Sequence, residues 1–272
     1  MSSARQDASY LQPDLEPVAD AATLHSMIRA VAVSRDYGAV RAVDNVSFEV
    51  SPGEVVGFLG PNGAGKTTVL RMLSTYIPPS AGTLTVAGHD VTSEPLAVRR
   101  AIGYLPEHDA LFDGMRVRAF LSFCGQAHGL DASTLATQTT KLIDRCDLSA
   151  VLDRRIGTCS KGYRRRISLA AALLHDPKVL LLDEPTHGLD PLQVAAFREH
   201  LTELREGRAV LFSSHVLAEV AAVCDRILML HHGALVLDEP TASLTERARS
   251  SGTDLEGLIL DIVRTPREAT EA

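Results

Sequence analysis

Two hydrophobic rhythms alternate along the chain: short blocks of consecutive branched apolar residues, and longer stretches where apolar positions return every three or four residues. Glu54-Val-Val-Gly-Phe-Leu59, Ala101-Ile-Gly-Tyr-Leu105, Val179-Leu-Leu-Leu182 and Ala209–Phe212 are of the first kind. They predict short strands, and the unbroken run at 179–182 predicts one buried on both faces of a parallel sheet. Thr68–Tyr76, Val117–His128, Ser133–Cys146, Ile167–Leu174 and Leu192–Arg205 are of the second kind and predict helices, with Ser160 placed as a cap for the fourth. Ahead of them, a strand from Ile28, a turn at Asp36-Tyr37-Gly38 and a second strand over Val46–Val50 lead to the Pro52-Gly53 turn. Gly82–Ala87 predicts a strand after the break at Pro78-Pro79. Ile227–Leu230 and Ala234–Leu237 flank His231-His232-Gly233 and predict a hairpin. After Pro240 the pattern predicts one small helix, a final short strand over Leu258–Val263 and a polar end.

Strands and helices thus alternate as in an α/β domain, with a helical block of residues 108–176 interrupting the alternation. The chain has 272 residues, 45% of them hydrophobic, which is long for one domain and short for two. One globular domain with an inserted subdomain follows, preceded by a flexible polar leader over residues 1–25. A net charge of −7 argues against a surface built to neutralise nucleic-acid phosphates, so no nucleic-acid partner is expected. Cys124, Cys146, Cys159 and Cys224 form no C-x-x-C pair, which predicts a reduced compartment and no zinc site. No apolar run approaches the ~18 residues of a membrane-spanning helix, and the N-terminus lacks a signal-peptide pattern. A cytoplasmic chain is expected, and any membrane span must come from a partner.

The chemistry concentrates at Gly60-Pro61-Asn62-Gly63-Ala64-Gly65-Lys66-Thr67, which fits G-x-x-x-x-G-K-[ST] without a mismatch and lies between a predicted strand and the helix opened by Thr68. A chance glycine turn would not need that context. Strand, glycine-rich loop and helix make a phosphate cradle: the glycines admit tight turns with N–H groups pointing inward, and the helix adds its positive end. Lys66 then reaches the β- and γ-phosphates, and the Thr67 hydroxyl ligates Mg²⁺. Asp183 and Glu184 end the buried strand where α/β sheets place ligands. Such a pair is often a helix cap, but behind a phosphate loop Asp183 is suited to hold Mg²⁺ and Glu184 to polarise a water. His215, at another strand's C-terminal end, is placed to hydrogen-bond a γ-phosphate, although a lone histidine is more often structural. Tyr37, on its turn, divides evenly between stacking on a purine and ordinary half-burial. Asp238-Glu239-Pro240-Thr241 nearly repeats the string at 183, but the predicted hairpin takes Asp238 away from the ligand edge. Arg164-Arg165-Arg166 reads as a salt-bridged helix face.

This series of motifs resembles the nucleotide-binding subunit of ABC (ATP-binding cassette) transporters, over about residues 28–240. GPNGAGKT is similar to the family's Walker A loop, LLLDE to its Walker B strand with the catalytic Glu184, His187–Asp190 to its D-loop with Asp190, and Ser213-Ser214-His215 to its switch histidine. The resemblance assigns Tyr37 to adenine stacking. It implies an α/β fold: a P-loop NTPase core with an N-terminal antiparallel β subdomain and an inserted α-helical subdomain at about 108–176, within an ATP-binding domain at 26–240, followed by a small tail at 241–272. It further implies a Mg²⁺-dependent ATPase working as a head-to-tail homodimer or heterodimer, in which Ser160, Lys161 and Gly162 meet the partner's ATP. The permease would be a separate transmembrane subunit, so that this chain sits peripherally on the inner face of the cell membrane. The usual LSGGQ signature reads Cys159-Ser-Lys-Gly-Tyr163 here, which resembles exporter-type subunits of drug-efflux and gliding-motility systems. Glu107 stands where the family carries its Q-loop glutamine, and a carboxylate is also a hard oxygen ligand for Mg²⁺. A soluble ABC-type ATPase of translation or DNA repair is the alternative, but such relatives carry paired cassettes or coiled-coil or zinc insertions. A non-hydrolysing regulatory module is disfavoured by the intact Glu184 and His215.

Overall fold

The structure is a computed structural model and describes residues 26–264, so the predicted leader at 1–25 lies outside it. Two sheets organise it. Strands β1 (Ile28–Tyr37), β2 (Val40–Val50), β4 (Ala81–Val86) and β5 (His89–Asp90) form an antiparallel sheet in the order β2-β1-β4-β5. The second runs β10-β9-β3-β8-β7-β6, built from β3 (Val55–Leu59), β6 (Ile102–Leu105), β7 (Val179–Asp183), β8 (Ala209–Ser214), β9 (Arg226–His231) and β10 (Ala234–Pro240). Its strands are parallel except for the β9–β10 hairpin.

The consecutive apolar residues are explained by two cores, one on each face of that sheet. Val179 and Leu181 of β7 join Ile28, Phe48, Phe58 and Val69 between the sheets, while Leu180 and Leu182 join the helical side. β3 and β8 divide the same way, with Val56 and Phe58 against Val55 and Leu59, and Leu211 against Phe212. A strand buried on both faces has no polar side to show, hence no alternation. The helices are α1 (Lys66–Leu73), α2 (Pro95–Ala101), α3 (Val117–Ala127), α4 (Ala132–Arg145), α5 (Lys161–Leu173), α6 (Pro191–Leu204), α7 (Leu217–Val223), α8 (Thr241–Ser250) and α9 (Leu255–Arg264). Among the described residues no helix is long and apolar enough to cross a membrane.

Three expectations are corrected. Leu258–Val263 is part of helix α9: Leu255, Leu258, Ile259, Ile262 and Val263 recur at helical spacing and pack on the core, leaving Leu260 outside. The helix expected over Ile167–Leu174 starts six residues earlier, at Lys161, with Ser160 as its cap as expected: the hydroxyl accepts from the Tyr163 amide (3.4 Å). The second strand begins at Val40, and the intervening turn falls at Gly38, with φ +60°. Helices α8 and α9 bury Leu244 and Ile259 in the same core as Leu182. All four cysteines are free. Where α3 ends, His128 stacks on His175 with ring centroids 3.7 Å apart and planes 7° from parallel.

Candidate functional site

The glycine-rich loop joins the C-terminal end of β3 to α1, and its backbone is held against a second strand. Gly65 has φ +107°, and a β-carbon there would stand 2.6 Å from the Ala42 carbonyl oxygen, so only glycine fits both demands. Lys66 is buried, donating to the Gly60 carbonyl (2.6 Å) and the Pro61 carbonyl (3.3 Å). The loop faces a cavity of about 520 Å³ whose walls are Ala42, Asn62 to Thr68, Glu107, Glu184, His187 and His215. The parallel order β3-β8-β7-β6 brings the ends of four strands to this one edge, where Glu107, Glu184 and His215 leave them.

Asp183 is 1% exposed. Its Oδ1 accepts from the hydroxyls of Ser213 (2.7 Å) and Thr67 (3.2 Å), and burial pushes its carboxyl above the usual range while those donors pull it back. Its Oδ2 is buried with no hydrogen-bond partner. A buried carboxylate oxygen left bare beside a threonine hydroxyl is the donor set a hard divalent cation uses. Among the described residues no three His, Cys, Asp or Glu side chains converge as a metal cage, so remaining ligands would have to be phosphate or water oxygens, as Mg²⁺ commonly takes them.

Glu184, the next residue, has φ +44°, a left-handed conformation that costs of order 1–3 kcal/mol for a side-chain-bearing residue. Its amide is fixed by the Ser213 hydroxyl (3.0 Å) and carbonyl (3.2 Å). The twist carries its carboxylate into the cavity, with Oε1 3.6 Å from Lys66 Nζ and Oε2 2.9 Å from His215 Nδ1. Lys66, Glu184 and His215 therefore form one continuous polar chain across the mouth of the cavity.

Other expected positions lie apart from it. Tyr37 is 43% exposed at the end of β1, with the Arg35 guanidinium 4.9 Å over its ring, and is not in the cavity wall. Ser160, Lys161 and Gly162 open α5 and likewise line no part of this cavity. Asp190 caps α6 by accepting from the Gln193 amide (2.9 Å). Gly188 has φ +69°, and the Lys161 ammonium fills the space where a side chain at 188 would begin. Asp238 sits on the hairpin, paired with Arg226 (2.8 Å). In the arginine run, Arg164 pairs with Asp113 (2.6 Å) and Arg166 with Asp147 (2.7 Å), as expected of a solvated face; Arg165 is instead buried, because it turns inward beneath the end of β7. The Ser213 hydroxyl, His187 and Arg165 also stand at or beside this edge, with no signal of their own in the sequence. The first two sit inside the SSH and HGLD strings, beside His215 and Asp190.

Residues 43–187 match the sequence profile of the family described as ABC transporter. The ABC transporter ATP-binding protein NatA of Bacillus subtilis is 41% identical over 78% of this chain and 87% of its own length. The doxorubicin resistance ATP-binding protein DrrA of Mycobacterium tuberculosis is 39% identical over 82% of this chain and 67% of its own. A solved ATP-binding subunit of an ABC transporter superposes with a TM-score of 0.80 at 27% identity, covering 88% of this chain and all of that one. With a phosphate cradle, a buried aspartate and an adjoining Lys–Glu–His chain at one sheet edge, the chain belongs to the ABC transporter family as one of its ATP-binding subunits.

Proposed function

We propose that this chain hydrolyses ATP with Mg²⁺ to power a separate membrane permease of the export type. The observation that carries the reading is the position of Glu184, buried between Lys66 and His215 at the mouth of the cradle. Backbone amides from Gly63 to Thr67, at the N-terminus of α1, bind the phosphates, and Lys66 leaves the Gly60 carbonyl to meet them. Thr67 and Asp183 would hold Mg²⁺, which when bound neutralises charge on the β- and γ-phosphates. Glu184 orients water for in-line attack and accepts its proton, and His215, donating from Nδ1 to that carboxylate, holds it in place and steadies the γ-phosphate. Tyr37 stacks on adenine outside the cavity, and Glu107 contributes its carboxylate to the cavity wall.

The signature residues Ser160, Lys161 and Gly162 lie away from their own chain's cavity, which supports a head-to-tail pair in which they and Asp190 serve the partner's nucleotide. The name of a relative from Paraburkholderia xenovorans, the Nod factor export ATP-binding protein I, supports export. The helical block at 108–176 presents exposed Phe112 and Phe123, in edge contact with each other, as a docking face for the permease's cytoplasmic loops. Through that permease the chain sits on the inner face of the cell membrane.

The test is Glu184→Gln in the purified protein, assayed for Mg²⁺-dependent ATPase activity and for ATP binding. Turnover should fall on the order of 10²–10⁴-fold with binding retained; an unchanged rate removes Glu184 from the role. Purification of the tagged chain from detergent-solubilised membranes should bring a polytopic membrane protein in stable proportion. Recovery with ribosomes or DNA-repair proteins alone would overturn the transport role.

A further inference from the structure

Arg165 stands in the middle of an arginine run yet is 6% exposed. Its guanidinium is spent almost wholly on main-chain carbonyls. Nε donates to Pro185 O (2.9 Å), and Nη2 to Asp183 O (2.9 Å) and Glu184 O (3.1 Å). Nη1 donates to Pro106 O (2.5 Å) and to Asp109 Oδ1 (3.2 Å). Asp109, the one carboxylate it meets, also accepts from Ser168 one turn along the same helix (3.0 Å).

Three successive carbonyls thus converge on a single rigid fork at the place where Glu184 is held in a left-handed conformation. Ser213 fixes the Glu184 amide from β8, and Arg165 fixes its carbonyl from α5. The other prong of the fork grips the carbonyl that immediately precedes Glu107. We propose that Arg165 is a positioning residue for hydrolysis: it aims the Glu184 carboxylate by clamping the 183–185 main chain, and through Pro106 it ties that clamp to the loop bearing Glu107. The inference rests on the reading of Glu184 as the residue that orients water. A lysine keeps the charge but lacks the planar fork and cannot meet carbonyls on two loops at once.

The test uses the full chain with Arg165→Lys, Arg165→Gln and the double variant Arg165→Gln/Asp109→Asn, which removes the cation and its buried anion together. Each is measured for kcat and KM of ATP hydrolysis, for equilibrium binding of a fluorescent ATP analogue, for thermal melting, and for amide hydrogen exchange over residues 183–189. The expected result for the double variant and for Arg165→Lys is kcat down on the order of 10–100-fold, as for a displaced catalytic group, with KM and analogue affinity within twofold and faster exchange at 183–189. Wild-type turnover in Arg165→Lys would show that charge alone suffices and overturn the proposal. A loss of analogue affinity and melting temperature in parallel with kcat would reduce Arg165 to a structural plug and overturn it too. If Arg165→Gln fails to fold, the other two variants decide. An absence of hydrolysis in the wild type would sink the proposed function, while exchange at 183–189 would still report whether Arg165 holds that segment.

Discussion

Acidification should unfasten this protein at His175, and replacing that side chain with phenylalanine should remove the effect. His175 Nε2 donates to the Ile102 carbonyl at 2.8 Å, which fixes the proton on that nitrogen. Its Nδ1 is buried with no partner, and the neighbouring His128 ring covers one face. A second proton would create a buried N–H with no acceptor and place a cation against another imidazole. Burial, reinforced by His128, accordingly pushes the His175 pKa from 6.5 down to about 4. Because the folded state disfavours the charged form, the unfolded chain binds more protons between those values. The stabilisation is therefore complete above pH 6.5 and is lost as pH falls through about 4. At about 1.36 kcal/mol for each tenfold in proton affinity the ceiling is roughly 3.4 kcal/mol, and solvent at the open edge of the ring reduces it to about 2 kcal/mol. The assay is urea unfolding at pH 7.5 and 4.5 for wild type and His175→Phe. Carboxylates that titrate in both proteins cancel in the comparison. At pH 4.5 about three quarters of that ~2 kcal/mol is expressed, so wild type should lose about 1.5 kcal/mol more than the variant on acidification; two proteins whose stabilities fall in parallel, within about 0.5 kcal/mol, would refute the account.

Two further outcomes follow from the cradle and its support. Gly65→Ala, which forces φ +107° on a β-carbon aimed 2.6 Å from the Ala42 carbonyl, should weaken nucleotide binding more than about tenfold in a fluorescence titration. Ser213→Ala strips a donor from Asp183 Oδ1 and an acceptor from the Glu184 amide; at about 1–3 kcal/mol for the pair, kcat should fall roughly 5–150-fold and the Mg²⁺ concentration for half-maximal activity should rise. A normal magnesium titration in that variant would separate Ser213 from the proposed cation site.

What the sequence disclosed was whatever is written in consecutive residues. The loop at 60–67 and the pair at 183–184 carry their chemistry in one unbroken string, and β3 and β7 announce themselves by apolar runs that leave no polar face. The same logic misled at Leu258–Val263, where neighbouring apolar residues resemble a buried strand and only the wider spacing from Leu255 reveals a helix face. Arg165 was illegible for a different reason. Its flanking arginines do lie on a solvated face, and the turn that buries the middle one depends on carbonyls at Pro106 and Pro185, which only the strand order brings under α5. The Ser213 hydroxyl likewise acquires its role from β8 lying between β3 and β7. Helices α2 and α7, of seven residues each, are too short to establish a period.

The Lys161 ammonium rests on Gly188 as the free end of an exposed, flexible side chain that can swing aside, so the lasting demand for glycine at 188 is its left-handed backbone, φ +69°. A substitution at 161 should therefore leave the demand for glycine at 188 unchanged in the descendants of this sequence. A lineage that shortened Lys161 to glycine would open room at 188 and gain no freedom there, because the left-handed twist remains.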